Sequence, residues 1–416
     1  MLKSIRLGFA QNTVLMILII LTSLFHLTPL LYENYKIIIV LLWLLSICYF
    51  LVSNKRKASP KLKVMLLWGV GYIAIGFLYS ILGISSGKIV RDMLFSLFLF
   101  PIMFLVLMDT KLSSHNVKLL FHVIAFIVAL NILDNIRLSY LYPYIALMSQ
   151  EVLEEQGLTG LNAGGAPFIA MAVFYLAIVM TAFFSSTEKY EKILFLLYAF
   201  IAFWFIVFCS FKASNAIYAM LTVAVMLLLD RIRKINTAII ILLISGFFLL
   251  LFLDPILHLI VDIIDNQRVG TRLLVFADED IDSANANSIN SRMDLWLVSL
   301  HTWIDNPVNF VLGIGEHSRH DYIMGTAESG VGNHSEFFDI LAKYGILGGV
   351  ILYNILKKLF DFSKQMVSGR LYLKVLIFFA LIILFGFTKK IILPSISIMF
   401  FILFPLCLYK ITSKKV

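Results

Sequence analysis

Charge, proline and cysteine are all scarce in this 416-residue chain. Asp, Glu, Lys and Arg together make up 14% of it and hydrophobic residues 61%, against about 25% and about 45–50% in soluble globular proteins. A soluble fold needs more polar surface than this to face water, so a soluble enzyme is excluded, and a disordered chain needs the opposite composition. The three cysteines, Cys48, Cys209 and Cys407, each sit inside an apolar run, where a thiol behaves as a small hydrophobe. They lack metal-ligand spacing and give no disulfide framework. No internal repeat or low-complexity stretch marks the inverted halves found in many transporters.

What is present is phenylalanine, 36 residues of it, and apolar runs from end to end with only 9 prolines to interrupt them. The composition implies an all-α polytopic membrane protein. A helix rising about 1.5 Å per residue crosses a bilayer core of about 30 Å in roughly 20 residues. On that measure the sequence predicts twelve spans: 13–31, 37–53, 64–83, 93–108, 119–136, 167–184, 193–210, 216–229, 237–254, 337–356, 375–388 and 391–409. The run 216–229 is short, and the last two form a tight hairpin around Lys389 and Lys390. The first run is too long, and too closely followed by a second, for a cleaved signal peptide, so it is read as retained.

The net charge of +9 is topological. With both termini cytoplasmic, the inner segments hold 22 of the 34 Lys/Arg but 5 of the 25 Asp/Glu. This is the positive-inside pattern, and it accounts for the basic balance without nucleic acid. Two connections are long, 137–166 and 255–336, and both fall outside. The chain therefore divides into a first bundle over 1–254, a large external loop over 255–336 and a second bundle over 337–416. Long loops between tightly joined spans usually carry function.

The second half of the large loop carries local structure signals. Ser291 and Asp294 form a capping-box-like start for a helix that should end near Asn306-Pro307. Gly313-Ile314-Gly315 is a turn in which backbone can approach closely. Asn333-His334-Ser335-Glu336 leads into the tenth span, with Ser335 as its N-cap. Glu336, Asp339 and Lys343 share one face of that helix at 3- and 4-residue spacing, which suits either internal pairing or the lining of a cavity.

Two other stretches fail as sites. Asp278, Asp280 and Asp282 occupy EF-hand positions 1, 3 and 5, but Ser283 stands where glycine is needed and Ile289 where the bidentate Glu belongs. No metal is expected. Gly157 to Gly165 is glycine-rich without a dinucleotide or phosphate-loop pattern and reads as an irregular entry to the sixth span.

The order Arg292, Trp296, Asn306-Pro307, Gly313-Ile314-Gly315, Asn333-His334-Ser335-Glu336-Phe337, Leu341, Tyr344-Gly345-Ile346-Leu347-Gly348 resembles the O-antigen polymerase (Wzy) and O-antigen ligase superfamily. Two departures are visible. Asn333 precedes His334 where the family often has Asn after it, and Lys212 stands near a family arginine without the bidentate fork of a guanidinium.

The resemblance implies a GT-C-like membrane glycosyltransferase of the bacterial inner membrane, working on undecaprenyl-pyrophosphate-linked glycans outside that membrane and needing no cofactor. It implies a polymerase that extends the glycan, or a sister ligase that transfers it to lipid A-core. A chain-length regulator is a candidate partner. A lipid-linked oligosaccharide flippase is the reading from another class, and it predicts charges deep in many spans and short loops on both sides. Within the enzyme reading His334 is the candidate base, since imidazole titrates near 6.5 and general-base catalysis contributes about 100- to 10,000-fold. Arg292 is the first candidate for the pyrophosphate, because guanidinium matches phosphate oxygens in pairs. Arg268, Arg272 and Arg319 on the loop, and Lys212 and Arg137 at outer span ends, are further cationic candidates. Asn162 matches a family position and is a candidate substrate contact. The helix that begins after Ser335 offers free N–H groups to an oxyanion.

Overall fold

The fold was read from a computed structural model. It describes residues 2–28, 60–82, 112–142, 165–210, 213–231, 286–315 and 335–412, with isolated positions at 31, 35, 38, 41, 42, 45, 100, 103 and 104. Among these residues every regular element is a helix. In chain order they are α1 (Leu2–Leu27), α2 (Pro60–Ile81), α3 (Ser114–Leu141), α4 (Gly165–Ser185), α5 (Lys189–Cys209), α6 (Ala213–Arg231), α7 (Ala286–Ile304), α8 (Pro307–Leu312), α9 (Glu336–Met366), α10 (Arg370–Thr388) and α11 (Pro394–Thr412).

Among the described residues, six helices are long and apolar enough to cross a membrane: Ser114–Leu141, Phe168–Ser185, Lys189–Cys209, Glu336–Met366, Arg370–Thr388 and Pro394–Thr412. They coincide with the runs read at 119–136, 167–184, 193–210, 337–356, 375–388 and 391–409. Shorter apolar helices at Thr13–Leu27, Leu67–Leu78 and Asn215–Asp230 fall within or across the runs at 13–31, 64–83 and 216–229. The runs at 37–53, 93–108 and 237–254 lie outside the described residues apart from isolated positions. The described residues are those of a multi-pass, all-α membrane protein.

Alternating burial explains why these helices stay apolar all round. On α3, Val117, Leu120, Phe121, Ile124 and Val128 are buried at 3- and 4-residue spacing, while Phe126 on the same helix is 50% exposed. One stripe packs on protein and the other, equally apolar, is left open, which suits hydrocarbon rather than water.

The described chain forms two compact units. The first comprises Met1–Val128, Leu295–Met366 and Ile382–Val416; the second comprises Ala129–Asp294 and Val367–Leu381. In the first, α2 lies against α9, where the Tyr72 and Tyr344 rings meet at 5.3 Å, and α1 lies against the start of α11.

In the second unit α4 is the centre, buried without interruption from Phe168 to Ala182, with α5 and α6 packed on it. One end of this unit is tied by charge. Lys374 Nζ lies 3.2 Å from Asp230 Oδ1, Arg370 donates to the Asp230 carbonyl at 3.1 Å, and the Lys374 ammonium sits 4.6 Å above the Phe184 ring. The end of α4, the end of α6 and the start of α10 therefore share one end of the unit.

Candidate functional site

Of the motifs singled out in the sequence, Trp296, Asn306-Pro307, Gly313 to Gly315 and Ser335 to Gly348 lie in the first unit. The capping pattern at Ser291 and Asp294 does not start α7, which is a correction to the sequence reading. The helix is already formed at Ala286, because apolar 3- and 4-residue spacing runs back through Met293 to Ile289 and carries the helix past the apparent cap. Its end falls where expected. Asn306 has extended backbone and caps α8, its Oδ1 accepting from Asn309 N at 2.8 Å, and Pro307 occupies the first helical position. The Trp303 indole closes the corner, donating to the Phe310 carbonyl at 3.0 Å and stacking on the Phe310 ring at 5.0 Å.

The glycine turn then meets α9. Gly313 and Gly315 both have φ +74°, and α9 is broken at Gly345, where φ is +62° and ψ −165°. Such φ/ψ values are essentially restricted to glycine. The break deprives carbonyls at the end of the first half-helix of their usual donors. The turn supplies replacements: Ile314 N–H donates to Ala342 O at 3.0 Å and Gly315 N–H to Lys343 O at 2.8 Å. A Cβ on Gly313 would collide with the Lys343 backbone, and one on Gly345 with the Val311 carbonyl. Two glycine motifs some 30 residues apart in sequence are thus one interlocked structure.

At the other end of the half-helix, Ser335 is the N-cap the sequence predicts. Its Oγ accepts from Phe338 N–H at 3.3 Å and donates to Gly386 O at 3.1 Å. Glu336 has a role that sequence reasoning missed. Its Oε2 accepts from the backbone N–H groups of Ile391 and Ile392 at 2.8 and 2.9 Å, clamping the turn between α10 and α11. The only local signal was an acid in the first turn of a helix, which is too common to single out. Gly386 leaves room for the Phe337 ring, which a Cβ there would overlap.

Between the two ends lies a buried polar cluster. Ser299 Oγ donates to Asp339 Oδ1 at 2.7 Å, with Ser299 1% and Asp339 2% exposed. Lys343, one turn further along α9, is also buried and contributes positive charge to the field at Asp339. On this face Asp339 is engaged by Ser299 of α7 and Glu336 by the α10–α11 turn. Beside them Trp296, Phe338, Phe387 and Phe337 form a continuous aromatic wall, with successive ring centroids 6.0, 5.7 and 5.0 Å apart.

Of the candidate site residues, Arg137 is fully placed. It is exposed near the end of α3 and bonded to Asp134 Oδ1, Nη2 at 2.7 Å and Nε at 2.9 Å. Arg292 lies on α7, two turns before Ser299 and therefore on the same helical face; its side chain lies outside what the structure describes. His334, Arg268, Arg272, Arg319, Lys212 and Asn162 lie outside the described residues, as do Asp278 to Ser283 and Gly157 to Gly164. Ser335, next in sequence to His334, is fixed from both sides by the bonds above.

The interlocked α7–α9 region falls inside a stretch, residues 163–353, that matches the family model described as O-antigen ligase, a family of membrane glycosyltransferase-like enzymes covering ligases and polymerases. No curated protein matches the chain. That domain match runs from the beginning of α4 into α9 and supports the resemblance to the O-antigen ligase and polymerase superfamily.

Proposed function

We propose that this protein is a polysaccharide polymerase of the O-antigen type. It transfers a growing glycan from undecaprenyl pyrophosphate to the non-reducing end of a lipid-linked repeat unit, on the periplasmic side of the bacterial inner membrane. Both termini are then cytoplasmic and residues 255–336 periplasmic. The observation that carries the reading is the family match over 163–353, which includes both Arg292 and His334.

In the proposed reaction a hydroxyl oxygen of the acceptor sugar forms a bond to the anomeric carbon of the donor. The bond from that carbon to the pyrophosphate oxygen breaks, and undecaprenyl pyrophosphate leaves with the electron pair. His334 takes the hydroxyl proton, and Arg292 offsets the charge developing on the leaving group, a stabilisation that counts for most where water is excluded. The glycosyl–pyrophosphate bond is already activated, so no ATP is needed. Arg268, Arg272, Arg319, Lys212 and Arg137 are the further cations assigned to the substrate's phosphates, and Asn162 to its sugar. Ser335 and the Gly313–Gly345 interlock hold the entrance of α9 rigid, which suits a base that must be positioned closely.

The description of the matching family favours a second reading, ligation of finished glycan to lipid A-core. Deletion of the gene followed by glycolipid electrophoresis separates the two. Core bearing a single repeat unit supports the polymerase. Bare core with accumulated lipid-linked polymer supports the ligase, and a wild-type ladder contradicts both.

A further inference from the structure

Two tryptophans stand seven residues apart on one face of α7, and their indole N–H groups are treated differently. Trp303 Nε1 donates to the Phe310 carbonyl at 3.0 Å. Trp296 Nε1 is shielded from solvent and has no hydrogen-bond partner among the described residues. An indole nitrogen is a donor only, and a buried one usually finds an acceptor, because leaving it empty forfeits its hydration with nothing in return. Phenylalanine at this position would fill nearly the same space without that cost.

The surroundings indicate what supplies the acceptor. Trp296 precedes Ser299, the anchor to Asp339, by one turn, and follows Arg292 by one turn. Its ring lies 6.0 Å from that of Phe338, three residues beyond the N-cap that follows His334. An occupant here meets an aromatic wall and one unspent donor. A sugar ring has that chemistry: apolar C–H faces that lie on aromatic rings, with hydroxyl oxygens at its edge.

We infer that Trp296 is a substrate-binding residue whose indole N–H donates to a sugar oxygen of the glycan being transferred or extended. This rests on the glycosyl-transfer reading above and extends it to a residue that reading does not use. A ligand-binding donor of this kind is kept at the expense of stability, so its removal should separate the two properties.

The test uses the full chain in lipid nanodiscs, with lipid-linked repeat unit as acceptor and lipid-linked oligomer as donor, comparing Trp296→Phe with wild type, Trp296→Leu and His334→Ala. Trp296→Phe should raise KM for one of the two substrates about tenfold, equivalent to about 1.4 kcal/mol. It should leave kcat within about threefold and leave Tm unchanged or higher. Trp296→Leu, which also loses the ring, should lower both activity and Tm. Whichever KM rises identifies donor or acceptor as the source of the sugar oxygen. An unchanged KM for both substrates overturns the inference, as does a Tm for Trp296→Phe as low as that of Trp296→Leu, which would make the indole structural. His334→Ala keeps the two claims apart. If it is inactive while Trp296→Phe is normal, only the tryptophan assignment fails; if wild type itself forms no extended glycan from these substrates, the glycosyl-transfer reading fails first.

Discussion

Gly313 and Gly345 each make room for the backbone of the other's segment. The space a Cβ on Gly313 would fill holds the Lys343 backbone, and the space beside Gly345 holds the Val311 carbonyl. Because the hydrogen bonds from Ile314 and Gly315 run through the same contact, neither segment can keep its shape without the other.

Alanine at either glycine should therefore cost more than an unfavourable φ. Gly369 is the control, having φ +60° with nothing within 4 Å of its virtual Cβ. Gly369→Ala is expected to lose about 1–2 kcal/mol, the cost of left-handed backbone alone. Gly313→Ala and Gly345→Ala are expected to lose more than that, about 3 kcal/mol or above, since collision adds to strain. Thermal melting of the three variants checks the order; equal losses would mean the interlock is looser than described.

The Ser299–Asp339 bond joins segments 40 residues apart inside the unit. Ser299→Ala leaves a buried carboxylate short of a donor and should destabilise by about 1–3 kcal/mol. In a double-mutant cycle with Asp339→Asn the coupling should be about 0.5–3 kcal/mol, as for residues in direct contact. Strict additivity would mean the bond contributes nothing.

Glu336 should hold the α10–α11 turn through its acceptor oxygen rather than its charge. Glu336→Gln keeps an oxygen able to accept from both amides, whereas Glu336→Ala keeps none. Hydrogen exchange at the Ile391 and Ile392 amides is expected to rise at least tenfold in the alanine variant and to change little in the glutamine variant. Equal rates in both would tie the clamp to charge.

Arg292→Lys preserves charge but replaces a planar fork with a point charge. If the guanidinium meets pyrophosphate in two places, turnover should fall about tenfold or more at normal protein abundance. Unchanged turnover would assign the arginine to structure.

How much of this could be read from the chain depends on how local each signal is. The N-cap at Ser335, the stop at Asn306-Pro307 and the glycine turn are short-range devices, and each stands where the sequence puts it. The break at Gly345 was invisible because apolar spacing continues through it from Phe337 to Ile351, and a lone glycine in a helical pattern is ordinary. The start of α7 was misread for the complementary reason: a capping pattern also occurs inside helices, and only the wider periodicity shows which is which. The Ser299–Asp339 and Glu336–Ile391 bonds join residues 40 and 55 positions apart, and no spacing rule reaches that far. The candidates His334 and Arg292 follow from the order of motifs, and the structure describes their neighbours Ser335 and α7 rather than their side chains.

The most direct test of the account is glycan length in cells carrying His334→Ala at wild-type protein abundance. The account predicts a membrane-inserted protein with chain extension abolished, leaving core with a single repeat unit. A full-length glycan ladder from that variant would contradict it.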